Sequence, residues 1–285
     1  MRKVPQMSDA RQALLIQLGR AIAGLRRHSR AEPSIHEIRK ELKRVRATLR
    51  LLRACLGNTD YRWDNTLVRE ASHPLTPMRD AEVLLEAFRR WGLPKDADQP
   101  GKALSRLDSA LSEDHHRAQR RLTAAELEHA AAVLTAIRGR AAVLTRRRLA
   151  RKSPGGALKR AYQAGRSAFA RARARHTDER LHEWRKQTQY FANQLEVLLP
   201  LGLPRRFAKG RKRAARLADY LGEDHDLALL TRRIAELSTL AGAADSGDPV
   251  AALMGRVALR RRRLQRRSFR LGAKLYAAKA THYRP

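Results

Sequence analysis

Two copies of the pentapeptide His-Glu-x-Arg-Lys stand 146 residues apart in a chain of 285: HEIRK at His36 to Lys40 and HEWRK at His182 to Lys186. The same offset superposes Gly19-Arg20 on Gly165-Arg166, Arg27 on Arg173, and Leu49 and Leu52 on Leu195 and Leu198. It continues to Asp80 and Asp226, Leu84 and Leu230, and Arg117 and Arg121 with Arg263 and Arg267. A period that holds across half a chain without slipping is the signature of a duplicated structural unit. The repeat includes a His and an Arg that no helix needs in order to fold, so it points to chemistry as well as shape. The expected organisation is one helical-bundle repeat over residues 8–152 and a second over 157–280, packed together.

Composition sets the class of both halves. Leu, Ala and Arg dominate and β-branched residues are sparse, which predicts an all-α chain. Apolar residues make up 43%, enough for a core. Lys and Arg number 61 against 28 Asp and Glu, a formal charge of +33. Self-repulsion at that charge opposes compaction, and such a surface attracts polyanions. Cys55 is the single cysteine, which excludes an internal disulfide and a cysteine-rich zinc module. No window approaches the roughly 18 apolar residues of a membrane span. Leu14 to Leu25 is interrupted by Gln17, Arg20 and Gly24, so no secretory signal is expected. The expected location is the cytoplasm.

Helical periodicity is almost continuous. A first helix is expected over 8–28 with Ser8 as its N-cap, and a second from Ser34, paired with Glu37 as a capping box, to Leu56. A third is interrupted at His73-Pro74 and Pro77, with a segment from Asp80 to Trp91 and a loop over Gly92 to Gly101. The long region to Lys152 breaks near Leu122, where Thr123 and Glu126 form another capping box. Ser153-Pro154-Gly155-Gly156 reads as a linker at the midpoint. Helices then follow over 157–175, 177–199 and 204–240, the last broken at Gly222, and a loop through Gly247-Asp248-Pro249 precedes an Arg-rich helix. Each half therefore offers about four core helices, a tandem of two four-helix bundles.

The second helix sorts its residues by face. Ile35, Ile38, Leu42, Val45, Leu49, Leu52 and Leu56 recur at spacings of 3 and 4, a seam expected in the core. One residue on, His36, Arg39, Lys43, Arg46, Arg50 and Arg53 form a basic ridge about 100° round the helix. At 1.5 Å per residue the ridge extends roughly 25 Å. Solvated faces normally alternate acids with bases, because like charges at i,i+4 repel. This ridge has no acid, and Glu37 and Glu41 lie on another face. The expected arrangement is a groove for a polyanion.

Other chemistries fit less well. HEIRK and HEWRK carry Lys where a zinc protease needs its second His, so the zincin motif is absent, and no metal or other cofactor is expected. No Gly-rich phosphate loop, Ser-His-Asp order or carboxylate cluster for Mg²⁺ is visible, so the chain is expected not to be an enzyme. Asp80 and Asp226 open apolar runs and are read either as N-caps or as partners that fix ridge Arg and His rotamers. Nonspecific nucleic-acid binding is the competing reading for the charge. Aromatics at 5% are few for base stacking, and no helix-turn-helix or zinc finger is seen.

At these helices the chain resembles the CHAD family, the conserved-histidine α-helical domain. The likeness lies in IHEIRKELKRVRATLRLLR (Ile35 to Arg53) and LHEWRK (Leu181 to Lys186), and in MRDAEVLL (Met78 to Leu85) and LGEDHDLALL (Leu221 to Leu230). The resemblance implies two four-helix bundles about a pseudo-twofold axis, a basic central groove, binding of inorganic polyphosphate and association with polyphosphate granules. With no triphosphatase-type β-barrel domain read ahead of it, the chain is expected to be a stand-alone member. By the same resemblance the first repeat keeps the family's basic positions at His36, Arg39, Lys43, Arg44, Arg46 and Arg50. The second keeps His182, Arg185 and Lys186, then departs: Gln189, Tyr190 and Ala192 stand in place of Lys43, Arg44 and Arg46. Arg206, Lys209, Arg213 and Arg216 follow on the next helix and are expected to replace the lost charge. Lys40 and the paired Arg20 and Arg166 complete the candidate polyphosphate-binding set.

Overall fold

The seam read on residues 35–56 is buried at every position, from Ile35 at 2% exposure to Leu56 at 6%. It belongs to α2 (Ile35–Leu56), which packs on α1 (Met7–His28) and α3 (Asn58–Ser72). The computed structural model describes residues 5–28, 35–92, 101–150, 153–240 and 248–278, and among them the chain is all-α, with helices and no strand. None of these helices is long and apolar enough to cross a membrane.

The remaining helices are α4 (Leu75–Trp91), α5 (Lys102–Arg121), α6 (Ala124–Ala142), α7 (Arg146–Ala150), α8 (Pro154–Ala174), α9 (Asp178–Leu198), α10 (Arg206–Leu240) and α11 (Asp248–Tyr276). Local signals account for several boundaries. Gly57 ends α2 at φ 91°, a left-handed conformation that costs glycine little, and α3 begins one residue later. Thr123 and Glu126 form the capping box expected ahead of α6. Thr177 caps α9 by accepting a hydrogen bond from the Arg180 amide.

Other boundaries differ from the reading above. Ser8 is not an N-cap: α1 already includes Met7, and Asp9 accepts from the Gln6 amide instead. Ser153 to Gly156 is not a linker. Ser153 caps α8 through the Gly155 amide, Pro154 takes the first helical position, and Pro154 and Gly155 are buried. Proline suits that position because its missing N–H would have no intrahelical partner there. Pro77 sits in the first turn of α4 for the same reason. Gly222 does not break α10, which runs unbroken from Arg206 to Leu240. The Ser34 cap falls outside the described residues.

The apolar side chains gather in three clusters. One joins α1, α2, α3 and α6, with residues such as Leu18, Val45, Val68 and Leu134. A second joins α8, α9, the first half of α10 and the end of α11, around Trp184, Phe191 and Phe207. The third takes α4 and α5 from the first half of the chain and α10 and α11 from the second, through Phe88, Leu107, Leu230 and Val257. Leu51 of α2 reaches into the second cluster, so α2 and α9 lie directly against each other. Burial on two sides places the basic ridge of α2 beside α9.

Candidate functional site

Where α2 faces α9, a cleft of about 580 Å³ opens. Its α2 wall is Arg39, Lys43, Arg46 and Arg50, four of the six ridge positions. Asn65 and Arg69 enter from α3. The opposite wall is α9, with His182, Arg185, Lys186, Gln189, Tyr190 and Asn193. Seven of the twelve lining residues are Lys or Arg and none is acidic. A second hollow of about 400 Å³, with Glu70 in its lining, shares Arg39, Arg46 and Arg69 and adjoins the groove along α3.

The guanidinium groups are held by neutral partners. Arg39 donates to Thr76 Oγ1 at 2.9 Å. Arg46 donates to Asn65 Oδ1 at 3.2 Å and to the Tyr190 hydroxyl at 3.0 Å. Arg50 lies over the Tyr190 ring, 3.7 Å from its centroid, a cation–π contact. Such partners orient a cation without cancelling it. Among the described residues Arg39, Lys43, Arg46, Arg50, Arg69 and Arg185 form no ion pair, and the Nε atoms of Arg50 and Arg185 are buried without a hydrogen-bond partner. Several arginines elsewhere meet carboxylates: Arg140 with Asp64, Arg233 with Asp114, Arg260 with Glu223, and Arg261 with Asp224.

The structure removes one of the two readings of Asp80 and Asp226. Asp80 lies in the second turn of α4 and Asp226 deep inside α10, so neither is an N-cap. Neither lines the groove, and among the described residues neither forms an ion pair or hydrogen bond with its cations, but both feel their charge. Burial pushes the Asp80 carboxyl up, opposed by Arg39, Arg79 and Arg185. Burial does the same to Asp226, opposed by Arg185, Arg79 and Lys43. Their charges act on Arg39, Lys43 and Arg185 at a distance, while Arg79 pairs with Glu82 at 3.0 Å.

The cations crowd one another. Lys43 is open to water by accessible area, yet protein walls surround its ammonium, as expected in a concave groove. Burial first, then the Arg185, Arg39 and Arg79 charges, lowers its pKa to about 8. His182 and His225 approach with ring centroids 4.7 Å apart. Burial, followed by Arg185 and His182, lowers His225 to about 4, and His182 is lowered by burial and by Arg185 and Lys186. A bound anion would reverse these shifts, because an opposite charge favours the protonated form.

The family model of the CHAD domain matches residues 10–235. This chain belongs to the CHAD family. The CHAD fold described here is similar to the crystal structure of the CHAD domain from the plant Ricinus communis, with a TM-score of 0.67 at 19% identity over 98% of this chain and 96% of that one. At that identity the likeness speaks for the fold. No curated protein matches the chain.

Within this CHAD chain the groove gathers Arg39, Lys43, Arg46, Arg50, His182, Arg185 and Lys186 from the sequence-derived set. Arg44 is turned away from it and bonded to Glu41 and Glu196. His36 and Lys40 are exposed outside the lining, with Lys40 3.6 Å from Glu37. Arg20 on α1 and Arg166 on α8 are exposed away from it. Lys209, Arg213 and Arg216 do not replace the lost charge in the groove: Arg213 donates to the Lys274 carbonyl and Arg216 to the Tyr220 hydroxyl. The Arg206 side chain lies outside the described residues. Sequence reasoning missed Arg69, Asn65, Asn193 and the positive role of Tyr190. Arg69 follows Asn65 by one helical turn on α3, but nothing in the α3 periodicity alone says that this face meets α9.

Proposed function

We propose that this CHAD chain binds inorganic polyphosphate in the α2–α9 groove, without turning it over, and serves at polyphosphate granules in the cytoplasm. The observation that carries the reading is the convergence of six cations, free of ion pairs, from α2, α3 and α9 in one cleft without a lining acid. Such a site is unfavourable empty, because like charges are held together in partial burial. A linear phosphate polymer supplies closely spaced anions along the cleft, and charge-assisted hydrogen bonds from Arg to phosphate are strong and directional. The narrow cleft favours a thin flexible chain over a nucleic-acid duplex.

The non-enzymatic reading rests on the surroundings of the carboxylates. Asp80 and Asp226 lie among Arg39, Arg79, Arg185 and Lys43, whose charges disfavour a divalent cation there. Phosphoryl transfer relies on such a cation to neutralise developing charge. The test is titration of labelled polyphosphate of graded length at several salt concentrations. Affinity should rise with length until the groove is filled and fall steeply with salt, as counterion release requires. Equal affinity for orthophosphate and long polymer overturns the proposal. So does phosphate release from the polymer with Mg²⁺ that a groove substitution abolishes.

A further inference from the structure

Besides Arg166, four second-half arginines matched by the 146-residue offset take no part in the groove: Arg173, Arg263, Arg266 and Arg267. All four line a separate open cleft of about 860 Å³ between the end of α8 and the second half of α11. Arg270 joins them, so five guanidinium groups surround one hollow. None of the five is ion-paired among the described residues, and the lining has no acid. The four on α11 are exposed and span two turns, roughly 10 Å of helix at 1.5 Å per residue.

The floor distinguishes this cleft from the groove. Phe169 and Phe269 line it, and His176 stacks on Phe269 with centroids 4.5 Å apart and planes 19° apart. Phe269 is fixed from behind by Trp184, at 5.2 Å between centroids. His176 is exposed, so the stack begins in the core and ends at solvent. At the same offset the first half has Ala23 and Thr123 in place of Phe169 and Phe269, next to the retained Arg27, Arg117 and Arg121. Four of the five arginines recur in the first half, Arg266 matching Arg120 while Arg270 meets Ala124, and the rings belong to the second half alone.

An inorganic phosphate polymer has no planar apolar face to set on such a floor. A nucleotide has a planar base and an anionic phosphate in one unit, and the hollow is within the range of about 300–1,000 Å³ usual for small-ligand sites. We propose that the α8–α11 cleft binds a nucleotide unit, its base stacked on the His176–Phe269 pair and its phosphates on the surrounding arginines. The same chemistry occurs in free nucleoside triphosphates and in single-stranded nucleic acid, where bases stack on protein aromatics in a cationic channel.

The test uses a short single strand carrying one 2-aminopurine, whose fluorescence is quenched by stacking, beside ATP and inorganic polyphosphate as competitors. The strand should bind the full chain with quenching. Arg266→Glu with Arg270→Glu should weaken it about 10-fold or more, because two phosphate contacts are reversed. His176→Ala and Phe269→Leu should each cost roughly five-fold, the low end for one lost base stack, and reduce the quenching. Arg39→Glu with Arg46→Glu, in the other groove, should leave strand binding intact while removing polyphosphate, and so separates this proposal from the one above. ATP competing as well as the strand assigns the site to free nucleotides; a strand that binds more tightly assigns it to single-stranded nucleic acid. Binding without quenching, or binding unchanged in the Arg266→Glu/Arg270→Glu variant with its circular dichroism preserved, overturns the proposal.

Discussion

Residues 50 and 190 meet across the α2–α9 junction, and so do residues 44 and 196, the two positions that the 146-residue offset makes equivalent. In the first pair Arg50 lies 3.7 Å over the Tyr190 ring, held in place with its charge available. In the second, Arg44 donates to Glu196 at 2.6 Å and also to Glu41. One geometry therefore yields an open cationic wall on the α3 side and a neutralised ion pair on the other. The lesson is that cations count as binding groups only where their partners leave the charge uncompensated. Arg44 belongs to the same basic run as Arg46 yet is spent on structure.

The largest effect should come from equal charge changes placed in the two settings. Arg39, Lys43 and Arg46 reversed together to Glu should weaken polyphosphate binding about 100-fold or more, at roughly 1.5–3 kcal/mol per charged contact. Lys209, Arg213 and Arg216 reversed to Glu change net charge identically and should cost far less. Arg185 and Lys186 reversed to Glu should fall between them, since Lys186 is already paired with Glu183. Titration of labelled polymer with circular dichroism as a folding control decides the order. Equal losses in the two triple variants would mean that overall charge rather than the groove governs binding.

The next contrast concerns the glycines matched between the halves. A Cβ on Gly165 would lie 2.6 Å from the Tyr276 hydroxyl, which is fixed by the Thr188 hydroxyl at 3.0 Å, whereas one on Gly19 meets nothing within 4 Å. Gly165→Ala should lower stability by about 1–3 kcal/mol through overpacking. Gly19→Ala should raise it by up to about 1 kcal/mol through helix propensity. Denaturant melts of both variants test whether the two halves differ in packing as stated.

A smaller gain should follow from converting the neutralised pair. Glu196→Arg places at position 196 the residue found at position 50 and leaves Arg44 with Glu41 as its one carboxylate partner. Polyphosphate affinity should rise roughly five-fold, about 1 kcal/mol. An unchanged affinity would confine the binding surface to the α3 side.

The smallest effect is a proton linkage. Lys43 titrates near 8 in the free protein, and a bound polyanion raises that value. The complex then holds more protons than the free components near pH 8, so affinity should climb a few-fold as pH falls from about 9 to about 7. Calorimetry in buffers of different ionisation enthalpy should register proton uptake at pH 8. Lys43→Arg should bind with that uptake removed, because guanidinium does not titrate in this range.

Much of this was legible beforehand because it is local. The seam from Ile35 to Leu56 and the ridge one residue on follow from 3.6-residue periodicity, which the fold leaves intact. The Thr123–Glu126 cap was equally visible. The misread helix boundaries concern residue types with two local uses. Ser153-Pro154-Gly155-Gly156 has linker composition, but Ser and Pro also begin helices, and burial of Pro154 and Gly155 decided for the helix. Gly222 could have broken α10; instead it lies in mid-helix, where a Cβ would sit 3.7 Å from Arg185 Nε.

By itself the sequence determined the all-α class, the helix faces and the placing of a cationic ridge beside a core seam. Those follow from side-chain periodicity and from the covalent order of the chain. Only the tertiary structure decided which cations stay uncompensated, because that depends on residues far apart in sequence. Tyr190 reaches Arg50 and Glu196 reaches Arg44 only once α2 packs on α9, and Asp80 and Asp226 come within charge range of Arg39 and Arg185 only once α4 packs on α2 and α10 on α9. Charge on a residue is local, while its neutralisation falls steeply with distance and is set by whichever helix happens to pack beside it.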